Sequence, residues 1–110
     1  MRSKSLLFLL TIFSLLVISS CQKPLSDQDV KYLGQWSSDK YSLEIWKNGS
    51  GTYQKKKQDP VDCWVKIENN RIKFKTGATT YKSFRIDSDP YVNGDGFTVM
   101  ILDNQVFYKL

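Results

Sequence analysis

Histidine is absent from the chain. That zero removes the commonest general base, the commonest metal ligand and every His-containing catalytic triad. Cysteine is scarce, with only Cys21 and Cys63, and there are 3 prolines and 6 glycines. So few breakers argue against a disordered or fibrous chain. The sequence also lacks a nucleophile motif, a Gly-rich phosphate loop and a metal-ligand cluster, which points away from an enzyme and calls for no cofactor. With 110 residues there is room for one small domain. From residue 21 onward, 14 basic side chains face 11 acidic ones, a basic excess too small to be a nucleic-acid footprint.

The one long apolar run lies at the amino terminus. Arg2 and Lys4 precede Leu6 to Ile18, a stretch with 11 apolar residues in 13, interrupted only by Thr11 and Ser14. A charged n-region with an apolar h-region behind it reads as a signal peptide over residues 1–20. At about 1.5 Å per residue this run reaches about 20 Å, short of the ~30 Å hydrocarbon core, so a permanent span is the weaker reading. Its exit, Val17-Ile18-Ser19-Ser20-Cys21, resembles the lipobox of bacterial lipoproteins. The resemblance implies cleavage before Cys21, a lipid on that cysteine and anchoring in the bacterial cell envelope. Gln22 stands where many inner-membrane lipoproteins carry aspartate, which implies the outer membrane. With Cys21 so used, Cys63 has no partner within the chain, and a disulfide-stapled fold is excluded. Residues 21–32 then form the lipidated cysteine and a polar tether, with one helical turn capped near Ser26.

From Leu33 onward the hydrophobic period is two. Apolar side chains alternate in Tyr41-Leu43-Ile45, Val61-Cys63-Val65-Ile67, Ile72-Phe74, Phe84-Ile86 and Phe97-Val99-Ile101, the pattern of half-buried strands. The spacing predicts strands at Leu33–Ser37, Tyr41–Trp46, Ser50–Lys55, Val61–Glu68, Arg71–Lys75, Tyr81–Asp87, Phe97–Leu102 and Gln105–Tyr108. Turn chemistry predicts their register. Asn69-Asn70 and Asp103-Asn104 read as two-residue type I′ turns, which set Ile67 against Ile72, Val65 against Phe74, Ile101 against Val106, Val99 against Tyr108 and Phe97 against Leu110. A turn at Lys47-Asn48-Gly49 with Gly49 left-handed sets Leu43 against Tyr53 and Ile45 against Gly51. Consecutive antiparallel strands over residues 33–110 predict an all-β, eight-stranded up-and-down barrel, which removes both sheet edges; a two-sheet β-sandwich is the alternative.

Gly34-Gln35-Trp36, at the start of the first strand, is similar to the Gly-x-Trp opening of lipocalin-like barrels. The resemblance implies a cup-shaped binding protein for a small apolar ligand. The chain departs from that family in lacking a C-terminal helix and an arginine to cover Trp36, Lys109 being the nearest cation.

The alternation places many large residues inward, Trp36, Tyr41, Tyr53, Phe74 and Phe84 among them, joined in the last hairpin by Phe97, Val99, Ile101, Val106 and Tyr108. This predicts a filled interior, with any pocket at an open end. Cys63 falls on the same face as a buried thiol. Trp46, Trp64, Met100 and Phe107 are left facing outward and form the candidate binding surface, with Leu102 beside them. Trp64 falls opposite Lys75, within reach of a cation–π contact. Asp87, Asp89 and Asp95 gather oxygens as calcium sites do, but their spacing fits no EF-hand and turn chemistry accounts for them. Lys55-Lys56-Lys57 reads as a solvated hairpin end. Two functional readings follow. One is a lipid-anchored, non-catalytic binding module for a small apolar ligand or an envelope component. The other is a protein-interaction or protease-inhibitor-type barrel acting through its surface and N-terminal segment. A filled barrel favours the second.

Overall fold

The computed structural model describes residues 23–110. The signal peptide and Cys21 lie outside the described residues. A short 3-10 helix, Asp27–Tyr32, leads into eight strands: β1 Gly34–Ser37, β2 Tyr41–Ile45, β3 Ser50–Lys55, β4 Val61–Glu68, β5 Arg71–Thr76, β6 Thr79–Val92, β7 Thr98–Leu102 and β8 Gln105–Lys109. Each strand pairs antiparallel with the next, and β8 returns to β1 through Trp36↔Lys109 and Ser37↔Tyr108. The result is a closed up-and-down barrel, and the sandwich alternative falls.

The turns act as their residue types require. Asn69 and Asn70 take φ of 53° and 61°, and Asp103 and Asn104 take 48° and 61°, the left-handed pair of a type I′ turn. Ile67 accordingly meets Ile72, Val65 meets Phe74, Ile101 meets Val106 and Val99 meets Tyr108. Gly49 adopts φ 89°, and Leu43 meets Tyr53 while Ile45 meets Gly51. The predicted Phe97–Leu110 pair does not form, since both residues lie beyond the strand ends.

β6 is twice as long as its apolar alternation announces. Its first half pairs with β5 and its second half with β7, so this one strand carries much of the stagger that closing a barrel demands. The register slips between Ile86 and Ser88 and again before Tyr91. Pro90 falls in that irregular stretch, where a missing N–H breaks no ladder.

Closure also decides which face of the last hairpin is buried, against the expectation from alternation. Directly opposed residues share a face. Trp36 points inward and faces Lys109, so Phe107, two residues earlier, points inward as well. Ile86 points inward and faces Leu102, so Met100 follows. Met100, Leu102 and Phe107 are fully buried, whereas Phe97, Val106 and Tyr108 stand on the exterior. Val99, also fully buried, lies on the outer face between Tyr91 and Tyr108 in register.

The segment read as a tether packs on the domain from Leu25 onward. Leu25 and Tyr32 belong to the core. The Leu25 N–H donates to the Lys47 carbonyl at 2.9 Å, and Lys47 Nζ donates back to the Leu25 carbonyl at 2.8 Å. The Trp36 indole N–H donates to the Tyr32 carbonyl at 2.9 Å, which satisfies its only donor inside the core. Lys109 Nζ lies 5.8 Å from the Trp36 ring centre, taking the place of the missing arginine. Gly34, at φ 119°, leaves room for that lysine, whose Cε would lie 2.9 Å from a Cβ there.

Candidate binding surface

The barrel interior is packed shut. Phe84 lies 5.3 Å from the Tyr41 ring, 5.8 Å from Phe107 and 6.1 Å from Phe74, all three in edge-to-face contact. Trp36, Phe74, Phe84 and Phe107 are fully buried together with Leu43, Ile45 and Ile72. Over one edge of this cluster Lys82 Nζ sits 5.4 Å from Tyr41 and 5.1 Å from Phe84, a shared cation–π contact. Cys63 is buried as expected, its Sγ 3.4 Å from the Val61 carbonyl, and burial pushes its thiol pKa up, which suppresses thiolate chemistry.

Of the predicted surface residues the structure keeps two and removes two. Met100 and Phe107 are core residues, because barrel closure inverts their hairpin. Trp46, 41% exposed, directly follows β2, and Trp64 is half-buried on the outer face of β4. The two indoles flank a cleft of about 330 Å³ whose other walls are Ser50, Gly51, Thr52, Asp62 and Cys63. On its other side Trp64 borders a second cleft of about 300 Å³, lined by Lys23, Lys66, Lys75, Gly77 and Ala78. Lys75 faces Trp64 in register, yet the cation–π pairs seen among the described residues lie elsewhere, on Tyr32, Tyr41, Phe84 and Trp36.

Alternation also missed an exterior patch. Tyr91 on β6, Phe97 just before β7, and Val106 and Tyr108 on β8 are exposed, with the Phe97 and Tyr108 rings 6.0 Å apart. The register between Trp36 and β8 is the signal that places it, and that register is not readable from local alternation. Lys55, Lys56 and Lys57 are exposed at a turn, as expected.

Asp87 and Asp89, both on β6, are engaged by the protein's own groups. Asp87 accepts from Arg85 Nε at 2.6 Å and from the Asn104 N–H at 2.7 Å. Asn93 Oδ1 accepts from the N–H groups of Asp95 and Phe97, both at 3.0 Å, an Asx-type turn. Asp89 accepts from the Tyr32 hydroxyl and from Lys31 Nζ, the latter at 2.9 Å, and so ties the 3-10 helix to β6. No group of three or more His, Cys, Asp or Glu able to hold a metal occurs among the described residues.

The Tyr32–Asp89 tie gives the fold a defined pH dependence. The Tyr32 hydroxyl first, then Lys31, holds the Asp89 carboxyl below the usual carboxylate range. Burial first, then Asp89, raises the Tyr32 phenol well above an ordinary tyrosine. The Asp89 contribution is present above its unfolded pKa and is lost as pH falls through its lowered value. The Tyr32 contribution is present below the unfolded tyrosine pKa and is lost as pH rises through the raised one. Both are therefore in force between about pH 5 and 9. Asp89→Asn is expected to lower stability by about 1 kcal/mol at pH 7, the modest size reflecting a half-exposed carboxylate. In urea denaturation the loss should shrink at pH 3; an equal loss at both values would refute the charge-based tie.

Comparison with protein-family models finds none that matches, and comparisons with curated proteins and with solved structures find no match either. The class is defined by architecture: a closed eight-stranded antiparallel barrel, consistent with a lipocalin-like one.

Proposed function

We propose that this chain is a lipid-anchored protein of the bacterial cell envelope whose lipocalin-like barrel is a non-catalytic binding module. It recognises an envelope component through its outer face around Trp46 and Trp64 rather than by enclosing a small ligand. The packed interior is the observation that supports this reading: four large aromatic side chains fill the centre where a lipocalin-type ligand would sit. Interface affinity concentrates in aromatic side chains set in partly desolvated clefts, the setting of both indoles. The inhibitor reading loses support, since the N-terminal segment it needs free is bound to the barrel from Leu25 onward.

The test is capture from envelope extract by the full chain, with native mass spectrometry of what it carries. Trp46→Ala and Trp64→Ala should each weaken capture by about 30-fold, a loss of about 2 kcal/mol, without lowering the melting temperature appreciably. A stoichiometric small ligand retained in both variants would overturn surface recognition.

A further inference from the structure

The outer face of β4 and β5 is crowded with basic side chains. Lys66 lies directly opposite Lys73, and Arg71 directly opposite Arg85. Like charges opposed across a ladder repel. Glu68 answers Lys66 at 3.4 Å and Lys73 at 3.1 Å, and Asp87 answers Arg85. Among the described residues, Lys23 and Lys75 have no carboxylate within ion-pair distance. These two join Lys66 around Trp64 to line the 300 Å³ cleft, closed on its far side by the Gly77-Ala78 tip of the β5–β6 hairpin. An indole set among ammonium groups is the side-chain combination of a membrane–water interface. Tryptophan settles at headgroup level there, and lysine is attracted to anionic lipid phosphates.

The path of the chain would bring a lipid on Cys21 to this cleft. The Lys23 carbonyl packs against Gly49, where any Cβ would collide with it, and the Leu25–Lys47 hydrogen bonds hold the segment in place. Cys21 precedes Lys23 by two residues, which span at most about 7 Å when extended. A diacylglyceryl group on Cys21, the reading on which this inference rests, cannot then be far from Trp64.

We propose that the envelope component read at Trp64 is lipid: the β4–β5 face docks on the anionic phospholipid headgroups of the membrane that holds the anchor. Lys23, Lys66 and Lys75 take the lipid phosphates, and Trp64 lies at headgroup depth. The barrel rests on the bilayer by this face instead of standing off on a tether.

The test uses the full chain, processed in cells, recovered from membranes and reconstituted in phosphatidylcholine vesicles with or without phosphatidylglycerol. A spin label on Ala78→Cys, at the cleft rim, is compared with one on Asn104→Cys, in the β7–β8 turn, and the depth of each is read by electron paramagnetic resonance. The buried Cys63 does not compete for the label. The Ala78 label should reach headgroup depth only with phosphatidylglycerol present, and the Asn104 label should stay in water. Lys23→Gln and Lys75→Gln should each lower the docked-to-free ratio about fivefold. The mass of the N-terminal peptide from the same samples reports acylation of Cys21. Absence of an acyl mass would remove the anchor and this inference together. An acylated chain whose Ala78 label stays in water would overturn the docking alone. So would equal contact with neutral vesicles, or displacement by millimolar inorganic phosphate.

Discussion

Truncating Phe84 to alanine is expected to cost about 3–5 kcal/mol of folding stability. The side chain is fully buried, and its ring contacts come from four other strands: Tyr41 on β2, Tyr53 on β3, Phe74 on β5 and Phe107 on β8. A cavity ringed by strands held in a closed ladder collapses poorly, so the full penalty for lost contacts and empty space should appear. Small domains are stable by only about 5–15 kcal/mol, so Phe84→Leu, which keeps most of the volume, gives a companion that stays folded. Urea denaturation is the measurement, with an unchanged m-value marking a loss of native-state stability. A cost below about 1 kcal/mol for Phe84→Ala would mean a loosely filled interior and would restore the cavity reading.

Phe107→Ala should cost a similar amount, about 3–5 kcal/mol, while Val106→Ala, one residue away, should stay within about 1 kcal/mol. Phe107 is fully buried against Phe84 at 5.8 Å, whereas Val106 is 41% exposed on the exterior. The pair reports directly on which face of the last hairpin is inside. If Val106→Ala proved the more damaging change, the register of β8 against β1 would be wrong by one residue, because a single-residue slip exchanges the faces.

Met100 and Phe107 show where local reading stops. β7 is apolar at every position from Val99 to Leu102, so alternation has no contrast to work with and the choice of face is free. Trp36 and Ile86 remove that freedom through pairings that no local pattern announces, one across the barrel seam and one across a bulged strand. Leu25 was equally hidden. A lone leucine in a polar segment carries no period, and its burial depends on Lys47, more than twenty residues away, meeting it at the turn between β2 and β3 while Gly49 there admits the backbone of Lys23. Trp46 and Trp64 were legible as exterior residues because each sits opposite in phase to a well-marked inward set, Leu43-Ile45 and Cys63-Val65-Ile67. That they share one cleft was not, since β3 lies between them.

By itself the sequence determined the all-β class, the strand order, the type I′ turns at Asn69-Asn70 and Asp103-Asn104 and the registers of three hairpins. All of these are short-range: a two-residue turn admits few backbone geometries, and a period of two follows from the pleat. Only the tertiary structure decided that β6 extends far enough to serve two neighbours, that Phe107 rather than Tyr108 fills the interior, and that the chain is tied down from Leu25. Those outcomes depend on one shared constraint, the stagger at which eight strands meet their own beginning, and no segment of the chain carries that constraint alone.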